Sequence, residues 1–187
     1  MPISPIRTSK RPNGGYPATD CLRVDSEPAK VRPDWLESPY DKNILAYFPN
    51  SILFLDPDQA YPFRMYIAFI NGEKRRGFSA LTELEFFEFR ERVVPLVRRI
   101  IRECELDPHS IDEACYGQVW DHLHIHMVPR YEETPMIAGY RFVDPNPGGN
   151  WGKYEKGTVP ESVSKEILSM AQQAARTLVQ DLDYVAV

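Results

Sequence analysis

Residues 122 to 127 read His-Leu-His-Ile-His-Met, and this run holds three of the four histidines in the chain. Strict alternation of polar and apolar residues fits an extended strand, in which successive side chains leave on opposite faces. His122, His124 and His126 then form one row, with Leu123, Ile125 and Met127 in the row behind. Carried outward, the alternation puts Gln118 and Trp120 on the histidine face before the run and Val128 after it. The strand is therefore expected over residues 116 to 129, interior to a sheet. Pro129 is expected to end it, because proline gives a sheet ladder no donor.

Imidazole is a nucleophile, an acid or base near neutral pH, and a metal ligand. In a nucleophilic reading the middle ring attacks phosphorus while its neighbours orient it and hold phosphate oxygens. Side chains two positions apart on one strand sit roughly 7 Å apart, from a rise of about 3.3 Å per residue, so three rings can surround one phosphate. In a metal reading the same rings bind zinc or copper, although successive strand positions splay and no fourth ligand is obvious. In the plainest reading the row is a hydrogen-bonded polar strand.

Composition narrows the partners. The 187 residues are 43% hydrophobic and 26% charged, as expected of a soluble globular domain. The net charge of −5 argues against affinity that comes from neutralising nucleic-acid phosphates. No apolar run approaches the roughly 20 residues that span a bilayer, and Met1-Pro-Ile-Ser-Pro-Ile-Arg7 carries no apolar signal core. The expected location is the cytoplasm, with no membrane or nucleic-acid partner. Cys21, Cys104 and Cys115 form no Cys-x-x-Cys pair and fit reduced thiols.

Along the chain, residues 1–43 are proline-rich and are expected to form an irregular arm, tacked down by Trp35, Leu36, Tyr40, Ile44, Leu45 and Tyr47. Ser51–Asp56 and Phe63–Ile70 suggest two antiparallel strands joined by a turn. Thr82 and Glu85 have capping-box spacing ahead of a long amphipathic helix with apolar residues at Leu84, Phe87, Val94, Val97, Ile101 and Cys104. Pro95 within it predicts a kink near Arg92 to Val94. Residues 131–187 comprise a loop of about 25 residues, long enough to suggest a function, and a helix from about Thr158, again with capping-box spacing to Glu161, to about Gln180. The basic run Lys74-Arg75-Arg76 is expected on a solvated loop, His109 on the surface, and Cys115 in the core. Too few strand–helix alternations for a doubly wound sheet indicate α+β with an antiparallel sheet.

Gly117-Gln118-Val-Trp-Asp-His122-Leu-His124-Ile-His126-Met-Val-Pro-Arg130 resembles the signature of the histidine-triad (HIT) nucleotide hydrolases and transferases, in which three histidines alternate with apolar residues. The likeness extends over residues 44–130 and implies an α+β homodimer whose two sheets join, acting at the α-phosphate of a nucleotide. It makes His124 the nucleophile that forms a nucleotidyl-histidine, with His122 and His126 on the phosphate oxygens or fixing the tautomer and Gln118 near the phosphate. It also implies that Asp56 binds ribose hydroxyls; a turn cap before Pro57 is the alternative for that residue. Ile52, Leu53 and Phe54 would wall the base pocket or belong to the core.

The chain departs from the family pattern where many members have Pro-Gly-His and this sequence has Pro62-Phe63-Arg64. Arg64 cannot act as a neutral imidazole but could clamp a phosphate. Ser110 and Asp112 stand where many members have an asparagine. Asp144-Pro-Asn-Pro-Gly-Gly-Asn-Trp151 is similar to an extension in some bacterial members that hydrolyse dinucleoside polyphosphates. The expected substrate is a dinucleoside polyphosphate, such as diadenosine tetraphosphate, or a nucleoside 5′-phosphoramidate. No cofactor is expected beyond a divalent cation such as magnesium accompanying the polyphosphate. The alternatives are a nucleotide-binding regulatory module with little turnover, a phosphorylase that uses phosphate in place of water, and a metal-dependent hydrolase.

Overall fold

The computed structural model describes residues 41–71, 75–115, 122–144, 146–151, 158–180 and 185–186. The expected arm over residues 1–40 lies outside them, as do Gln118 and Trp120. Five strands form the body of one antiparallel sheet: β1 (Ile44–Tyr47), β2 (Ser51–Leu55), β3 (Met65–Phe69), β4 (Ser110–Ala114) and β5 (His124–Arg130). With the two-residue β8 (Val185–Ala186), the order is β4-β5-β3-β2-β1-β8, which puts the histidine strand inside the sheet. A separate small hairpin, β6 (Met136–Ile137) and β7 (Tyr140–Arg141), lies in the segment after Arg130.

Both expected central strands are present and antiparallel, with Ser51 opposite Phe69 and Leu55 opposite Met65. β1 was expected only as a tack for the arm. Its Ile44, Leu45 and Ala46 are buried on both faces, so the periodicity that marks a half-buried strand is missing. β5 begins at His124, so His122, expected within the strand, precedes it, and the strand runs through Pro129 to Arg130 instead of stopping at the proline. Beyond Met127, which faces Met65, the strand pairs only with β4, and such an edge admits a proline.

Helices cover one face of the sheet. α1 (Glu83–Glu88), a π-helical segment (Phe89–Val93) and α2 (Val94–Glu103) follow one another directly. The capping box forms as its spacing predicts: Thr82 Oγ1 accepts from the Glu85 N–H at 3.3 Å, and Glu85 Oε2 accepts from the Thr82 N–H at 2.9 Å. Thr82→Ala is expected to cost about 1 kcal/mol, read as a lower urea midpoint at unchanged slope. Pro95 sits at the start of α2, and the widened turn before it is where the helix absorbs the missing N–H.

One extra residue in that turn rotates everything before it by about 100° relative to a regular helix. Leu84 and Phe87, expected in the core, are 50% and 40% exposed, while Glu85 and Glu88 point inward. Glu88 accepts from Asn50 and Ser51 at the β1–β2 turn, and burial pushes its carboxyl pKa upward. Glu85 forms a two-pronged pair with Arg75 at 2.6 and 2.7 Å. Arg75 is thus not a solvated basic residue, as had been expected for its run.

The core between sheet and helices draws on Leu53, Met65, Ile67, Ile125 and Met127 from the strands and on Leu96, Val97, Ile100 and Ile101 from α2. α3 (Glu161–Gln180) adds Val163, Ile167, Ala171, Ala174 and Leu178, one face at helical spacing. Its first turn hangs on the Pro160 carbonyl, which accepts from Val163 and Ser164 at 3.0 and 3.1 Å. The helix therefore starts past Thr158, and the second expected capping box is not formed. No helix among the described residues is long and apolar enough to cross a membrane.

Candidate active site

With Leu123, Ile125 and Met127 in the core, His124 and His126 fall on the opposite face of β5, which no helix covers among the described residues. Register extends this face sideways. His126 lies opposite Tyr66, which lies opposite Phe54; His124 lies opposite Ala68, which lies opposite Ile52. Ile44, Ile52, Phe54, Tyr66 and Ala68 form an apolar cluster beside the histidines, with Phe54 and Tyr66 stacked at 4.8 Å. Ile52 and Phe54 thus lie where a wall beside the histidines would be, whereas Leu53 faces the main core.

His124 is 8% exposed, and its ring meets that of His126 edge-on, with centroids 5.1 Å apart. Its Nδ1 is 2.8 Å from the His122 carbonyl oxygen. A carbonyl can only accept, so Nδ1 carries the hydrogen and the lone pair of the neutral ring is on Nε2. Burial holds the His124 pKa below its ordinary value, outweighing the opposing pull of the His122 carbonyl. A neutral imidazole with a fixed tautomer and a basic Nε2 is the form a nucleophile needs.

Asp56 and Arg64 arrive from the hairpin between β2 and β3. Asp56 Oδ2 lies 3.0 Å from Arg64 Nε and 3.3 Å from His126 Nδ1. Asp56 Oδ1 accepts from the Asp58 N–H at 2.9 Å, so the turn-capping role expected as an alternative is present. Arg64 also donates to Asp58 at 2.9 Å, and the Trp151 ring lies 4.6 Å from its guanidinium carbon. The hairpin is pinned by Gln59, 2% exposed. Its side-chain amide donates to the Asp56 and Arg64 carbonyls at 2.5 and 2.9 Å and accepts from the Phe63 N–H at 2.8 Å. Phe63 turns the chain at φ 61, a left-handed conformation rare for a bulky residue, immediately before Arg64.

The loop expected to be functional reaches this site. Arg130, 6% exposed and on the same row as His124 and His126, pairs with Asp112 at 2.6 Å and Asp144 at 2.7 Å. It also donates to the Asn146 and Gly149 carbonyls at 2.6 and 2.9 Å. That anchorage holds Trp151 against Tyr61 and Val128, with its ring 6.1 Å from His126. Gln59 and the Arg130 hub were not recognised from sequence. A lone glutamine in a proline-bounded turn has no periodic signal, and the partners of Arg130 lie 14 to 19 residues downstream or on a neighbouring strand. His109 is exposed and pairs with Glu132 at 3.0 Å, as a surface histidine should. Cys115 is partly buried against the core, which raises its thiol pKa. Among the described residues no group of three or more His, Cys, Asp or Glu side chains could hold a metal ion.

No protein-family model matches the sequence, and no curated protein matches it. Solved structures do. A histidine triad protein from Marinobacter aquaeolei superposes with a TM-score of 0.54 at 17% identity, over 76% of this chain and 96% of that one. One from Sinorhizobium meliloti gives 0.52 at 17% identity over 70% and 87%, and a hypothetical histidine triad nucleotide-binding protein from Sulfolobus tokodaii gives 0.52 at 14% over 75% and 87%. At these identities the likeness is one of fold: the chain has the α+β architecture of histidine triad proteins.

Proposed function

We propose that the protein is a histidine-triad nucleotidyl hydrolase in which His124 attacks the α-phosphorus of a nucleotide substrate. The observation that carries this reading is His124 itself, buried beside His126, with Nδ1 bound to a backbone carbonyl and Nε2 left as the basic nitrogen. Its attack forms an Nε2–phosphorus bond and expels the leaving group. Water then attacks the same phosphorus, releasing the nucleoside monophosphate and restoring the imidazole. His122 and His126 flank the phosphate in this scheme, and Gln118, outside the described residues, would reach it from the preceding segment. Ile52 and Phe54 support an apolar site for the base beside the histidines.

A dinucleoside polyphosphate or a nucleoside 5′-phosphoramidate is the substrate class. The Trp151 loop, similar to the extension of polyphosphate-hydrolysing members, favours the first. β4 ends the sheet among the described residues, which supports a homodimer formed by joining two sheets at that edge. The test is release of AMP from diadenosine tetraphosphate and from adenosine 5′-phosphoramidate. Turnover of the phosphoramidate should survive a chelator, since the nucleophile is a side chain. Loss of all turnover on chelation supports the metal-dependent alternative, and binding of both compounds without turnover supports the regulatory module.

The pH dependence has a definite sign. The reactive form of His124 is neutral, and burial depresses its pKa from 6.5. The acid limb of kcat/KM against pH should therefore be centred below pH 6.5. A limb centred above 6.5 contradicts the assignment.

A further inference from the structure

The rings of His124 and His126 stand side by side, with centroids 5.1 Å apart, and their Nδ1 atoms face opposite kinds of partner. His124 Nδ1 donates to the His122 carbonyl, 2.8 Å away. His126 Nδ1 faces Arg64 Nη2 at 3.4 Å. A guanidinium carries hydrogens and no acceptor, so in this hydrogen bond Arg64 donates and His126 Nδ1 accepts. The hydrogen of the neutral His126 ring is then on Nε2. One imidazole offers a phosphate its lone pair, and the neighbouring one offers a hydrogen.

Arg64 is held in place for this contact. It lies two residues before Tyr66 and so shares the face on which Tyr66 is opposite His126. Its side chain is 9% exposed, Nη1 donates to Asp58 at 2.9 Å, and the Trp151 ring lies 4.6 Å from the guanidinium carbon. Asp56 Oδ2 is at ion-pair distance from both partners, 3.0 Å from Arg64 Nε and 3.3 Å from His126 Nδ1. Arg64 Nε makes no hydrogen bond among the described residues. The carboxylate thus offsets the Arg64 charge, and the directed contact at the ring comes from Nη2. Because a guanidinium does not lose its proton, that donor is permanent.

We propose that Arg64 is a positioning residue that confines His126 to its Nε2–H form and thereby selects a leaving group that departs without a proton, the phosphate chain of a dinucleoside polyphosphate rather than the amine of a phosphoramidate. The inference rests on the nucleotidyl-transfer reading of His124 and narrows its substrate class. As His124 Nε2 bonds to the α-phosphorus, the P–O bond to a polyphosphate breaks and its electron pair stays on the departing oxygen as an anion. Breaking a P–N bond puts the pair on nitrogen, which must gain a proton to leave as an amine. An imidazolium at His126 would supply that proton, but its second hydrogen would have to sit on Nδ1, in place of the bond from Arg64 and against a cation. A neutral ring that gave up Nε2–H would be left as an imidazolate. His126 therefore donates a hydrogen bond to phosphate oxygens, where charge develops, and is a poor acid.

Two measurements test it. The first is the 1H–15N correlation of the His126 ring in the wild-type protein at pH 8, where an ordinary imidazole is neutral, assigned with His126→Gln. The expected spectrum shows Nε2–H with Nδ1 bare. An Nδ1–H or doubly protonated ring overturns the proposal, whether or not any substrate is turned over. The second compares kcat/KM for diadenosine tetraphosphate and adenosine 5′-phosphoramidate in the wild type, Arg64→His and Arg64→Lys, with magnesium present throughout. The wild type should favour the polyphosphate by at least about a hundredfold, the lower range of a general acid's contribution. Arg64→His places an acceptor as well as a donor beside Nδ1, and the ratio should fall at least about tenfold through a gain on the phosphoramidate. Arg64→Lys, still a cation with donors alone, should keep the ratio even where both rates fall. A wild-type ratio near one, or a ratio unchanged in Arg64→His, overturns the proposed selection. If the wild type turns over neither compound, the hydrolase reading fails together with its substrate preference, and the ring tautomer separately decides whether Arg64 sets His126.

Discussion

His124→Ala is expected to lower kcat by at least about a thousandfold, as loss of an essential nucleophile does, while nucleotide affinity stays within about threefold. The ring occupies a narrow slot, 8% exposed beside His126 and under the His122 carbonyl. Alanine leaves a small void there without an unpaired charge, and the fold should survive. Circular dichroism and nucleotide binding should be near wild type, so that lost turnover reports chemistry. Retention of even a tenth of the wild-type rate would mean that another group, or water, attacks phosphorus.

The largest structural effect is expected from Arg130→Met. Arg130 joins Asp112 on β4, Asp144, and the carbonyls of Asn146 and Gly149, with 7% of its side chain exposed. Removing the cation leaves Asp144, only 14% exposed, facing buried space without its counter-charge. Breaking a buried pair from one side costs about 3–5 kcal/mol. Because the same guanidinium anchors the segment carrying Trp151, the stability loss should come with a loss of activity in the fraction that remains folded. Arg130→Met with an unchanged denaturation midpoint would show that the loop is held by other contacts. Arg130→Lys should recover only part of the stability, since one ammonium cannot reproduce the fork between two carboxylates and two carbonyls.

The parts of this fold that were legible in sequence are those with local periodic or capping signals. The histidine strand announces itself by alternation, β2 and β3 by β-branched and aromatic runs, and α1 by the Thr82–Glu85 box. What escaped depends on register and on turns. No local pattern says that Tyr66 lies opposite His126, and that pairing is what carries Asp56 and Arg64 to the triad. The left-handed Phe63 that aims Arg64 has no sequence signal, since such a φ is most often met at glycine or asparagine. Regular helical spacing would turn Leu84 and Phe87 inward, but the π-helical turn before Pro95 shifts the helical phase and leaves them exposed. The long loop after Arg130 stands out by its length, but its anchorage lies in contacts that cross the sheet.

The most direct test of the account is to mix the protein rapidly with diadenosine tetraphosphate or adenosine 5′-phosphoramidate, quench in denaturant at alkaline pH, where a phosphorus–nitrogen bond on histidine survives, and weigh the intact chain. The account predicts a transient increase of one adenylyl group, mapped to the peptide containing His124 and absent in His124→Ala. Turnover without any adduct, in wild type and His124→Ala alike, would contradict it.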